Sequence, residues 1–141
     1  MIGLEPFRQT LVGRHLKEGA RGAGEPATLT VWSTRPVLVP GLGRSIAVQG
    51  ELSAGGLCDR CPVQGRVTFD RWAPLAVSYD LELSLADGTA CRLHGRRRRD
   101  LAGLLAAAST VRADLLDAGG RRLSELELRL DYRKAIAEKL W

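Results

Sequence analysis

The sequence predicts an all-β protein: a single-domain, antiparallel β-barrel of roughly eight strands with one short helix, spanning residues 1–141. Three observations carry this. The first is the stretch 75–96, LAVSYDLELSLADGTACRLHGR, in which Leu75, Val77, Tyr79, Leu81, Leu83 and Leu85 alternate with Ser78, Asp80, Glu82 and Ser84. A period of two puts the apolar side chains on one face of a strand. The second is the recurrence of such segments between Gly-, Pro- and Asp-rich turns. The third is size: eight strands in 141 residues suit a small up-and-down barrel, and closure hides every strand edge. A two-sheet sandwich is the alternative.

The elements follow in order. Residues 7–16 form a strand, with Phe7, Gln9 and Leu11 on one face and Arg8, Thr10 and Val12 on the other. After a Gly-rich loop (17–26), ATLTVWST (27–34) is β-branched and aromatic, hence a strand. Pro36, Pro40, Gly41 and Gly43 make 35–43 an irregular connector. In 44–52, Ile46, Val48 and Leu52 share a face, and Gly50 marks a bulge or a close backbone approach. SAGGLCDRCP (53–62) reads as a loop, and 63–71 as a strand with Val63, Gly65, Val67 and Phe69 in phase.

Asp87-Gly88 supplies the two positive-φ residues of a type I′ turn. The returning strand sets Cys91 and Leu93 against Arg92 and His94. Asp100 caps a short helix over 101–108. Residues 109–116 and 122–133 are the last strands, joined by a turn at 117–121. Leu126, Leu128, Leu130 and Tyr132 alternate there with charged residues, and 134–141 adds a final helical turn or two.

Composition narrows the function classes. No apolar run approaches the ~20 residues of a membrane-spanning helix, and the N-terminus lacks a basic and then apolar leader. Three cysteines, an odd number, fit a reducing compartment, so a cytoplasmic protein without membrane contact is expected. The net charge of +5 attracts anions, but 16 acidic residues are interspersed among 21 basic ones. The aromatic residues are not interleaved with the arginines as a stacking platform requires, so nucleic acid is not an expected partner.

Chemistry has few anchors. Cys58, Cys61, Cys91 and His94 have the spacing C-x2-C…C-x2-H, a legitimate zinc set. Against it, Cys91 and His94 lie three apart in a strand and point to opposite faces; the plainer reading makes Cys91 a small core residue. Neither metal nor cofactor is therefore expected. Arg96, Arg97, Arg98 and Arg99 read as a solvated strand end. The functional alternative is docking of an acidic protein partner, or of a phosphate or carboxylate at the barrel mouth. Hydrolytic triads lack a motif, and only His15 and His94 offer an imidazole. Glu51 and Glu82 would matter only if they faced inward. A homodimer stays open.

What remains is the lumen. On the apolar phases stand Phe7, Gln9, Phe69, Val77, Leu81, Cys91 and Leu128 as ligand-binding walls, with Tyr79 and Tyr132 as the candidate catalytic phenols. Apolar walls with a few polar groups are how ligand pockets are generally lined. The plainer reading is that these side chains fill the barrel as core.

PFRQTLVG (6–13), PGLGR (40–44) followed by GEL (50–52), LADGT (85–89) and RLHG (92–95) together resemble a known family. It is the small lipocalin-like domain attached to some bacterial glucose–methanol–choline-type oxidoreductases, including cholesterol-oxidase-like enzymes. The resemblance covers 6–133 and implies a barrel and an apolar ligand. The chain departs from it at 96–110, RRRRDLAGLLAAAST, where that family has a Lys and then an acidic, Thr-rich stretch. It also carries no flavin domain and no dinucleotide glycine motif. In size and strand pattern alone, the chain is similar to the allene-oxide-cyclase-like barrels that serve as stand-alone cyclases in bacterial polyketide pathways.

The leading expectation is a stand-alone barrel cyclase, working by a pericyclic or another cyclisation step, that folds a small apolar, polyketide-like substrate in its lumen. Such a step needs no nucleophile: confinement removes an entropic barrier, and one phenol or amide polarises a carbonyl. On that view Tyr79→Phe leaves stability nearly intact while impairing turnover. The alternative is a non-catalytic lipid- or sterol-binding module working beside an oxidoreductase. A zinc-stabilised interaction protein comes third.

Overall fold

The alternating segments close on themselves. The computed structural model describes residues 4–22, 24–38, 45–69, 77–97 and 110–130. They form eight strands: β1 (Leu4–Lys17), β2 (Glu25–Leu38), β3 (Ser45–Ala54), β4 (Cys58–Phe69), β5 (Val77–Ser84), β6 (Ala90–Arg97), β7 (Thr110–Asp117) and β8 (Arg122–Leu130). Each pairs antiparallel with the next, and β1 pairs with β8 from Leu11↔Leu130 to Lys17↔Ser124, so the sheet is a closed barrel.

Alternation sets the faces. In β5, Val77, Tyr79, Leu81 and Leu83 are buried, while Asp80, Glu82 and Ser84 are exposed. In β6, Cys91, Leu93, Gly95 and Arg97 point in, and Arg92, His94 and Arg96 point out. Apolar inside and charged outside is the inverse of a lipid-facing barrel. Tight curvature relies on inward glycines. A Cβ on Gly50 would stand 1.9 Å from the Thr30 carbonyl oxygen, and one on Gly65 2.0 Å from that of Asp80. Only a residue without a side chain allows that approach.

Three details depart from the sequence expectation. β2 continues through Pro36 to Leu38, paired back to Leu4. The register shifts between Pro6 and Arg8, and the Phe7 N–H there turns to the Ser33 hydroxyl at 2.9 Å. Second, the loop 53–62 shrinks to a turn at 55–57, with the Leu57 N–H on the Ala54 carbonyl and Gly56 at φ 71°. β4 thus begins at Cys58 and carries a bulge: Asp59 and Arg60 together oppose Ser53, Arg60 takes φ 49°, and its N–H reaches the Ser53 hydroxyl at 3.0 Å.

Third, the Asp87-Gly88 turn is not type I′. Gly88 alone of the pair enters positive φ, at 88°, and its N–H bonds the Leu85 carbonyl while the Leu85 N–H bonds that of Thr89. This is a type I turn closed by a glycine bulge. Asp117 to Arg121 repeats it, with Gly120 at φ 85°. The expected helix at 101–108 and the tail with Tyr132 lie outside the described residues.

The two ends of the barrel differ. One, the turn end, carries the turns at 18–22, 55–57, 85–89 and 118–121; at the other, here the connection end, β2, β4 and β6 end and β3, β5 and β7 begin. The turn end is sealed by His15, which points inward with 1% of its surface exposed. Its Nε2 is 2.7 Å from the Gly55 carbonyl, which can only accept, so Nε2 carries a proton. Its Nδ1 meets the Ser124 hydroxyl at 2.9 Å.

Candidate functional site

The connection end gathers most of the expected ligand residues. There β1 contributes Phe7 and Gln9, β4 Phe69, β5 Val77 and Tyr79, and β8 Leu128, all buried. Antiparallel pairing fixes this: the early residues of odd strands lie beside the late residues of even ones. The inward register runs Phe69↔Val77↔Arg97↔Val111↔Leu128. Phe7 and Phe69 meet edge to face, with ring centroids 5.9 Å apart at 87°.

Two polar groups lie just inside. The Tyr79 hydroxyl donates to Gln9 Oε1 at 2.7 Å, both side chains fully enclosed. Burial pushes the Tyr79 phenol above its usual range, and the positive charge of Arg97 pulls it partly back. Arg97 itself is 3% exposed, and its Nε and Nη1 have no hydrogen-bond partner among the described residues. Its cross-strand neighbours are Val77 and Val111.

Deeper in, the barrel is filled. Leu11, Leu29, Leu52, Leu81, Leu93 and Leu115 are at most 1% exposed, which leaves no water-sized space against them. Leu81 packs as core, and Phe7, Gln9, Tyr79 and Leu128, also at most 1% exposed, are as closely enclosed. Cys91 is inward and buried but sits at the opposite, turn end, paired with Leu83 and Asp117, away from Tyr79. Tyr132, Arg98 and Arg99 lie outside the described residues. The concavities on the outer face are open grooves. One of about 770 Å³ runs over Trp32, Gln49, Gln64, Glu82 and Arg92, and one of about 800 Å³ over Arg14, Arg112, Glu125 and Glu127.

The four zinc candidates are not brought together. The β4 bulge puts Cys58 and Cys61 on the same inward phase although they are three apart, and Cys91 joins them at the turn end. His94 points outward, with Nδ1 2.7 Å from Asp80 Oδ1. Among the described residues no group of three or more His, Cys, Asp or Glu is placed to hold a metal ion. Burial and the neighbouring Cys61 thiol push the Cys58 thiol up to about 12. The carboxylates stay outside as well: Glu82 is exposed, and Glu51 lies 3.3 Å from the Arg60 Nε.

Sequence reasoning missed the inward turn of Arg97 and of His15. Phase alone signalled both, since each lies an even number of residues from an apolar inward position. Charge argued the other way. Comparison of the chain with protein-family models, with curated proteins and with solved structures finds no match.

Proposed function

We propose that this protein binds a small, largely apolar molecule at the connection end of its barrel, and that Tyr79 and Gln9 are polar groups which that molecule meets. The observation carrying this reading is the buried Tyr79–Gln9 pair among Phe7, Phe69 and Val77. A hydrogen-bonded polar pair inside apolar walls orients a ligand, and a barrel needing only stability is better served there by aliphatic side chains. The packed leucine layer below confines the ligand to the end of the barrel. Native mass spectrometry of freshly purified protein, with organic extraction of what accompanies it, tests this. A co-purifying apolar molecule, or uptake of polyketide- or sterol-like probes, supports the reading; a clean apo mass with no uptake ends it.

The second reading is catalytic, a cyclase folding a polyketide-like substrate. Burial keeps the Tyr79 phenol protonated, so it has a proton to offer a carbonyl, which favours it. In the ligand-free barrel that proton is held by Gln9, so a substrate carbonyl must take it over. Binding without chemistry makes no such demand and is the preferred conclusion. Turnover of a carbonyl-bearing probe by the wild type but not by Tyr79→Phe would reverse the order.

A further inference from the structure

We infer that Arg97 is an anion-binding residue, and that the ligand of this barrel is an amphipathic acid whose single carboxylate enters first and meets the Arg97 guanidinium. This rests on the ligand site proposed above and adds the chemistry of the head group.

The starting point is a charge without a counter-charge among the described residues. Arg97 is the last residue of β6, on the inward phase, and is 3% exposed. Its register neighbours are Val77 and Val111, with Phe69 and Leu128 one strand further on each side. Among the described residues its Nε and Nη1 find no acceptor. A guanidinium does not escape burial by losing its proton, as a lysine can. A buried, unpaired charge is among the costliest groups a fold can retain. Retention is understandable when something outside the described barrel supplies the missing anion.

The head group follows from charge balance. Guanidinium N–H groups without an acceptor call for an anionic oxygen. One guanidinium neutralises one negative charge, and no second arginine or lysine side chain joins it among the buried described residues. A carboxylate is balanced there, while a phosphate dianion would leave an excess buried charge. Tyr79, close enough to feel the Arg97 charge, gives the same head group a second polar neighbour. The orientation follows from packing. Leu81, Leu93 and Leu115 fill the space beyond, so the apolar body lies toward the connection end, along Phe69 and Val77.

The test is calorimetric titration of the full chain, stripped of bound lipid, with dodecanoic acid, dodecan-1-ol and dodecyl phosphate at a pH where the acid is ionised. The acid is expected to bind at least about tenfold more tightly than the alcohol, and more tightly than the phosphate. Arg97→Met should lose the preference for the acid over the alcohol. Equal affinities in the wild type overturn the role of Arg97 and leave the ligand site standing; no binding of any probe overturns both. Tighter phosphate binding overturns the carboxylate assignment. Melting of the ligand-free variant is the independent readout. Removing an unpaired charge should leave Tm unchanged or higher, whereas a fall of about 10 °C or more means the guanidinium has a partner within the chain.

Discussion

Tyr79 and Gln9, 70 residues apart in sequence, join across the lumen through a 2.7 Å hydrogen bond that no water reaches. Each is the other's partner in an apolar space, so neither can be changed as though it stood alone. This alters the expectation drawn from sequence, in which Tyr79→Phe was to be almost neutral for stability.

Tyr79→Phe leaves the Gln9 amide oxygen without this donor, and a buried group stripped of a partner costs about 1–3 kcal/mol. Urea unfolding of Tyr79→Phe, Gln9→Met and the double variant checks it. The double variant should lose less than the two singles combined, because the pair is one interaction. Additive losses would mean that the two side chains are energetically independent.

Leu81→Ala opens a cavity in the filled layer of the barrel and should cost about 2–5 kcal/mol. A loss below about 1 kcal/mol, by the same measurement, would mean that β5 presents its other face to the interior.

Two glycines should fail for different reasons. Gly50→Ala drives a methyl group into the Thr30 carbonyl, 1.9 Å away, and should cost about 2 kcal/mol or more, because β2 and β3 must separate. Gly88→Ala meets nothing within 4 Å and suffers only from φ +88°, a penalty of about 1–2 kcal/mol. Amide exchange separates them: the first should speed exchange along β2 and β3, the second only around the turn.

Cys58 makes stability depend on alkaline pH. The unfolded thiol releases its proton near 9 and the native one near 12. Between these values the unfolded state binds fewer protons, so stability falls as pH rises through that window and is fully present below it. The wild type should lose more stability than Cys58→Ala between about pH 8 and about pH 11. At about pH 8 the thiol should also react with a disulfide reagent on the order of a hundredfold more slowly than a free cysteine, since the thiolate is the nucleophile. Equal rates would show that burial does not hold the proton.

Arg97 and Tyr79 are linked electrostatically, and the linkage has a sign. The guanidinium favours the phenolate, so its removal should move Tyr79 ionisation to still higher pH. Ultraviolet titration in a Tyr132→Phe background isolates the step. An unmoved titration after Arg97→Met would mean that the charge does not reach the ring.

How much of this the sequence disclosed depends on what each feature rests on. The strands and the inward phases of Val77, Tyr79, Leu81 and Leu128 were legible because a period of two is local information. The β4 start was not, because Cys58, Asp59, Arg60 and Pro62 look like turn residues, and only the opposing Ser53 shows that they form a bulge. Asp87-Gly88 fits two turn types, which the Leu85 hydrogen bonds decide. The inward phase of His15 is permitted by Ser124 and the Gly55 carbonyl, 109 and 40 residues away. Arg97 is the instructive case: alternation placed it inside, and polarity argued for solvent.

The β1–β8 seam also bears on how the chain is made. Leu11 and Leu130 stand side by side, yet nearly all of the described sequence lies between them. A ribosome delivers β1 first and β8 last, so the edge of β1 from Leu11 to Lys17 stays uncovered until the final strand emerges. Every earlier nascent length is an open sheet with a bare, template-like edge and an exposed apolar face. Closure at such sequence separation is slow. Chains stalled before residue 122 should therefore cling to chaperones or to one another, and release should coincide with arrival of β8.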